Sequence, residues 1–206
     1  YNLEKSNNFN LNFLNQLFDK KNLINDYYTP VELDDFPYPD WGSYTKKFPL
    51  RNDFFSLNQR IAIPLLGTRG CPYSCFFYCT YPLQQGRKVR ARSVENIIEE
   101  IKYWKKELGT NKFVFRDPVF SINRKHTIAF CKKVIEEKLD ITFMVETHLN
   151  NLDDEMIPLL RKAGLELVYV GVESSSHFVL KDMQRFTVEH DKQYKVIKSC
   201  EEAGIR

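Results

Sequence analysis

The stretch Ser93-Val-Glu-Asn-Ile-Ile-Glu-Glu-Ile-Lys-Tyr-Trp-Lys-Lys-Glu-Leu-Gly-Thr-Asn-Lys-Phe-Val-Phe-Arg-Asp117 decides the fold class. Val94, Ile97, Ile98, Ile101, Trp104 and Leu108 recur at helical spacing on one face, Ser93 can cap the start, and Gly109 can end the run. Soon after it comes a short apolar run, 112–116, too brief for a helix and bounded like a strand. The same alternation continues downstream. Strands are expected at 141–145 and 167–171, with a fifth beginning at Ile205, and helices over 123–138, 154–163 and 189–203. Pro158 costs the second of these helices a backbone bond unless it sits in the first turn. Upstream, 60–66 reads as another strand, and Pro64, which cannot donate a ladder bond, assigns it to a sheet edge.

Strand starts at 112, 141 and 167 lie 29 and 26 residues apart, intervals that fit βα units with parallel pairing. With no Gly-x-Gly-x-x-Gly, the pattern argues for a barrel-type α/β fold at least as well as for an open sheet. An edge position for the first strand suits an incomplete (β/α) barrel, truncated after about four units. Residues 1–59 read differently. They hold an Asn-rich segment whose Leu11, Leu14, Leu17 and Phe18 permit a helix, then a linker in which Pro30, Pro37 and Pro39 argue against regular structure. Residues 60–206 are the expected α/β domain. A chain opening on Tyr1 and stopping at Arg206 reads as an excerpt of a longer protein.

The 206 residues carry 30 Lys+Arg against 27 Asp+Glu, and a net charge of +3 gives no argument for a nucleic-acid partner. Sixteen Phe and eleven Tyr demand burial, which excludes disorder for most of the chain. The longest apolar run, Ile61–Leu66, is far short of a membrane span, and no signal peptide is evident, so a cytoplasmic location is expected. Five cysteines, three within residues 71–79, favour a metal or catalytic role over a disulfide framework.

In parallel α/β proteins the chemistry gathers on the loops that follow the strands. Those loops are Gly67-Thr-Arg-Gly-Cys71-Pro-Tyr-Ser-Cys75-Phe-Phe-Tyr-Cys79, Arg116-Asp117-Pro118, Glu146-Thr-His148 and Glu173-Ser-Ser-Ser176. Three thiolates on one loop can hold an iron–sulfur cluster, and with no fourth cysteine one iron would stay open. Zinc with a histidine as fourth ligand is the competing reading, and the aromatic residues between the cysteines favour the cluster. Each carboxylate has a plainer reading as a charge at a helix N-terminus. Arg87, Lys88, Arg90 and Arg92 form a basic run, read either as a solvated loop or as an anion clamp. Among the histidines only His148 is a site candidate, by its loop. Cys131 and Cys200 fall on apolar helix faces as packing residues.

Arg69-Gly-Cys-Pro-Tyr-Ser-Cys75 with Cys79, followed by Gln85-Gly-Arg-Lys-Val-Arg-Ala-Arg-Ser93, resembles the radical S-adenosylmethionine (SAM) enzymes. More narrowly, it is similar to the cobalamin-associated branch related to anaerobic oxidative cyclases. Phe115-Arg-Asp-Pro-Val-Phe120, Glu146-Thr-His148 and Gly171-Val-Glu-Ser174 match further motifs of that branch in the same order. Leu33–Trp41 is similar to the linker that follows its N-terminal cobalamin-binding domain, which would then precede Tyr1. Phe76, Phe77 and Tyr78 separate the second and third cysteines, where the superfamily's commonest pattern has two residues.

The resemblance implies a 4Fe–4S cluster on Cys71, Cys75 and Cys79, with SAM chelating the open iron and reductively cleaved to start radical chemistry under anaerobic conditions. It implies cofactor contacts from Tyr78 on the adenine side, from Asp117 and Glu146 toward SAM or substrate, and from Glu173 to the ribose with Ser174 nearby. Cobalamin, a small-molecule substrate, and a one-electron reductant such as a flavodoxin or ferredoxin complete the expectation, with methyl transfer or cyclisation as the outcome. The rivals are a methylthiotransferase-like enzyme without cobalamin and a non-catalytic zinc-stabilised binding module.

Overall fold

A computed structural model describes residues 32–47, 62–73, 75, 79–185 and 189–206. The helix expected around residues 11–18, and Tyr78, lie outside these. The described residues belong to two compact units, divided after Asp40. In the first, residues 33–35 form a short 3-10 turn.

The second unit is built on four parallel strands, β1 (Ala62–Leu65), β4 (Lys112–Phe115), β5 (Thr142–Thr147) and β6 (Leu165–Val170), hydrogen-bonded in that order. Two further strands, β2 (Thr68–Arg69) and β3 (Arg90–Ala91), form a separate antiparallel ribbon. The helices are α1 (Trp41–Lys47), α2 (Tyr81–Gln85), α3 (Val94–Leu108), α4 (Arg124–Glu136), α5 (Met156–Lys162), α6 (His177–Asp182) and α7 (His190–Glu202). No helix among the described residues is long and apolar enough to cross a membrane.

The sheet is the incomplete barrel wall that the alternation predicts. Every pairing in it is parallel, as βα crossovers require. β1 has a described neighbour on one side alone, in keeping with Pro64. After α7 the chain returns to the sheet: the Arg206 N–H donates to Glu166 O (3.0 Å) and the Val168 N–H to Arg206 O (2.9 Å). Those two bonds lay Arg206 beside β6, where a fifth strand was expected to begin.

Strand periodicity assigns two faces. Ile63, Leu65, Phe113, Phe115, Phe143 and Val145 all point to one face and are buried under the helices. Phe130 of α4 packs edge-on against Phe115 (5.3 Å between ring centroids) and Phe143 (5.7 Å), with Phe120 at 6.0 Å. Edge-to-face aromatic packing adds to the burial gain. Phe130 is therefore the central peg between helix and sheet, and Phe130→Ala is expected to cost about 3–5 kcal/mol, read as a lower denaturant midpoint at unchanged slope. The opposite face, carrying Pro64, Val114, Met144, Glu146 and Leu167, is only partly covered.

The helix ends follow their sequences. Ser93 Oγ accepts from Asn96 N (3.1 Å), and the Gly109 N–H closes α3 on Lys105 O. Pro158 is the third residue of α5, inside the first turn, and Asp153 Oδ1 caps that end by accepting from Met156 N (2.8 Å). One expectation fails. The linker containing Pro30, Pro37 and Pro39 was expected to carry no regular structure, yet residues 41–47 are helical. Pro39 precedes the helix and Pro49 follows it, so neither falls inside. Trp41 then packs edge-on against Tyr44, and Lys46 and Lys47 sit at the negative end of the helix dipole.

Candidate radical-chemistry site

The cysteine loop leaves β1 and is tied shut at its neck. β2 pairs with β3 across it, the Arg92 N–H donates to Gly67 O (2.9 Å), and the Cys71 N–H to Gly86 O (3.0 Å). Gly70 has a φ of +99°, and a Cβ there would lie 2.2 Å from Lys88 O, so the neck closes only around a glycine. Under the neck lies Asp117. Its Oδ1 accepts from Gly67 N (2.8 Å) and its Oδ2 from the Thr68 hydroxyl (2.7 Å), and the residue is 1% exposed. Burial pushes its carboxyl up to about 6, against the opposing pull of those hydrogen bonds. The reason for this placement is parity: Asp117 continues the alternation of Phe113 and Phe115 toward the covered face.

Arg92 departs from both readings of the basic run, whereas Arg87 and Lys88 are exposed, as a solvated loop would have them. Arg92 is neither solvated nor an anion clamp. Its guanidinium is buried, bonded to Glu100, to the Asn96 side chain and to Leu66 O (3.1 Å). Glu100, itself 1% exposed, also accepts from Trp104 Nε1 (3.3 Å). Arg90 belongs to β3, and Arg87 donates to Tyr73 O (3.2 Å). Arg87, Arg90 and Arg92 brace the loop and its flanks through Tyr73 O, Gln85 O and Leu66 O.

Cys71, Cys75 and Cys79 are all free thiols, Cys71 buried and the others half-buried. Burial pushes the Cys71 thiol up, a backbone hydrogen bond from Tyr73 opposes this, and the charges of Cys79 and Cys75 push it further. A soft, three-sulfur donor set on one closed loop fits a cluster.

On the open face, Glu146 sits at the end of β5. It accepts from the Tyr81 hydroxyl (3.3 Å) and faces Arg116 Nη1 at 3.6 Å. Burial, then the neighbouring Glu146, pushes the Tyr81 phenol up, so it remains a donor. Glu173 follows β6 with a φ of +64°, uncommon for a residue with a side chain. Its Oε1 lies 3.7 Å from Arg185 Nη2, and Arg185 also reaches Cys75 Sγ and Gly171 O. Ser174 Oγ accepts from Ser176 N (3.1 Å). His148 is buried, with Nδ1 accepting from Asn150 N (3.2 Å) and its ring tilted over Tyr73. Cys131 is wholly buried and its thiol is pushed up to about 12 by that burial; Cys200 is also buried. The rim therefore gathers the cysteines, Glu146 and Glu173, while Asp117 lies beneath them.

The sequence profile of the Radical SAM superfamily matches residues 65–206, a span that contains all three cysteines. The chain belongs to that superfamily. An uncharacterised methyltransferase of Pyrococcus horikoshii is 32% identical, the match covering 68% of this chain and 30% of the relative. The anaerobic magnesium-protoporphyrin IX monomethyl ester cyclase of Rubrivivax gelatinosus is 30% identical, over 85% of this chain and 31% of the relative. This radical SAM chain thus spans just under a third of the length of those two curated relatives. Its fold is shared with the radical SAM methyltransferase TsrM of Kitasatospora setae, solved with cobalamin and a [4Fe-4S] cluster. That match has a TM-score of 0.65 at 18% identity, covering 71% of this chain and 30% of TsrM.

Arg185 was not anticipated from the sequence, nor were the polar contacts of Tyr81 and Arg116 with Glu146. Parity could have found Arg116, which alternates with Val114 and so shares the open face with Glu146. Arg185 gave no local signal.

Proposed function

We propose that this radical SAM chain is the cluster-bearing part of an enzyme that cleaves SAM reductively to start radical chemistry on a small molecule. The observation that carries the reading is the closed three-cysteine loop on the rim, inside the span matched to the superfamily. Cys71, Cys75 and Cys79 would hold a 4Fe–4S cluster. When bound, the cluster, reduced by an external one-electron donor, would supply an electron to the SAM sulfonium, whose C–S bond would break to give methionine and a carbon-centred radical.

The chain's own residues bind, orient and exclude water. Glu146, held by Tyr81 and facing Arg116, and Glu173 with Ser174 are the polar contacts for SAM, with Tyr78 on the adenine side. Asp117 fixes the loop from below through Gly67 and Thr68. The hydrophobic floor of Val114, Met144 and Leu167 keeps the chamber poor in water. Cobalamin is the proposed second cofactor, with methyl transfer or cyclisation as the reaction class, in line with TsrM and with the methyltransferase and cyclase relatives. The enzyme is cytoplasmic and anaerobic in this reading, and takes single electrons from a flavodoxin- or ferredoxin-type donor.

Anaerobic reconstitution with iron and sulfide tests it. A brown protein holding about four iron and about four sulfide per chain is expected. A colourless protein retaining zinc would leave the zinc-stabilised module in its place.

A further inference from the structure

Arg185 is separated from Cys75 by 110 residues of sequence, yet its Nη1 lies 3.3 Å from the Cys75 sulfur. Its other terminal nitrogen donates to Gly171 O at 2.8 Å and lies 3.7 Å from Glu173 Oε1. The side chain is only 13% exposed. Its backbone is equally fixed. Gln184 takes a left-handed φ of +50°, and the Arg185 N–H donates to Leu180 O at 2.8 Å, closing α6 in a Schellman-type end anchored on the buried Leu180. A side chain at Gly171 would crowd both partners, its Cβ falling 2.8 Å from Arg185 Nη2 and 2.4 Å from Glu173 Oε1. A cation has therefore been built, from three separate features of the chain, to end on the middle sulfur of the loop.

We propose that Arg185 is a positioning residue for the cluster: it holds the Cys75 sulfur in place and, through an N–H···S hydrogen bond, favours the reduced state of the cluster that this sulfur ligates. The inference rests on the proposed function and deepens it. A thiolate ligand gains electron density when its cluster takes up an electron. A fixed guanidinium pointed at that sulfur interacts more strongly with the reduced form than with the oxidised one. Hydrogen bonds to ligand sulfurs and nearby charge are among the factors that set cluster potentials. Low exposure matters here, because water would otherwise screen the charge. Gly171 O and Glu173 act on the other side of the guanidinium, turning its fork so that Nη1 meets sulfur.

The experiment compares wild type, Arg185→Gln and Arg185→Lys as full chains, reconstituted anaerobically. Iron and sulfide content, iron loss to a chelator, and the midpoint potential by EPR-monitored dithionite titration are read for each. SAM affinity is read alongside. Arg185→Gln is expected to retain iron about 10-fold less well or worse, and to shift the potential of the remaining cluster to more negative values. Arg185→Lys, which keeps the charge, is expected to lie between the two. Thermal melts of the unloaded chains control for folding; if Arg185→Gln fails to fold, the potential of Arg185→Lys against wild type decides. Wild-type potential and wild-type iron retention in the variants would overturn the inference, as would a loss confined to SAM affinity, which would make Arg185 an anion contact instead. A wild-type chain that takes up no iron and sulfide would overturn the proposed function itself, with this inference.

Discussion

Replacing Cys75 with Ala is expected to abolish cluster binding, with iron and sulfide falling to background after anaerobic reconstitution. Three protein sulfurs serve three irons in this reading, so the loss of one leaves a cubane with two corners unheld by protein. No replacement is at hand. Cys131 is wholly buried on α4 with its thiol pushed up to about 12, far from the thiolate form that ligates metal. The fold should survive. Cys75 is half-buried and its contact with Arg185 is lost, so the unfolding free energy of the unloaded chain should fall by no more than about 1 kcal/mol. Full iron content in Cys75→Ala would remove this residue from the ligand set and with it the proposed role of Arg185.

The fold was legible in the chain because its signals are periodic. An α3 face with six apolar residues, and strand runs at near-regular intervals, place the same elements in sequence and in space. The open edge at β1 was announced by one proline, and the return of the chain beside β6 by Ile205. What escaped notice lacks a period. Two-residue strands such as β2 and β3 are too short to alternate, so the neck of the cysteine loop looked like a bare basic run. Arg92 could not be placed without Glu100, eight residues on and inside the core. Arg185 could not be placed at all, since its meaning comes from a sulfur 110 residues away.

Asp117 shows where legibility was available but unused. The motif resemblance sends it toward the cofactor; the alternation of Phe113, Phe115 and Asp117 sends it toward the covered face, where it is buried against Gly67 and Thr68. A carboxylate there accepts from Gly67 N and the Thr68 hydroxyl with its two oxygens; an amide of the same shape keeps both contacts by accepting from Gly67 N and donating to the Thr68 hydroxyl oxygen. The carboxylate carries one cost that the amide avoids, a buried charge.

That difference sets the second large effect. Asp117→Ala leaves the Gly67 N–H and the Thr68 hydroxyl without their partner, at about 1–3 kcal/mol each, so it should be about 2–6 kcal/mol less stable than Asp117→Asn, whose amide can pair with both. The pH dependence runs the other way from that of a salt-bridged carboxylate. The ordinary value of 3.8 applies to the unfolded chain, and the folded value is about 6, so the folded state holds the proton more tightly. Stability from this group is complete below 3.8 and is lost as pH rises through 6. At about 1.4 kcal/mol per unit, the roughly two-unit gap amounts to about 3 kcal/mol. Asp117→Asn has no such titration. Denaturant unfolding of both proteins at pH 4 and pH 7.5 should show the wild type losing about that much relative to Asp117→Asn, and parallel profiles would show that the carboxyl is not desolvated as the structure places it.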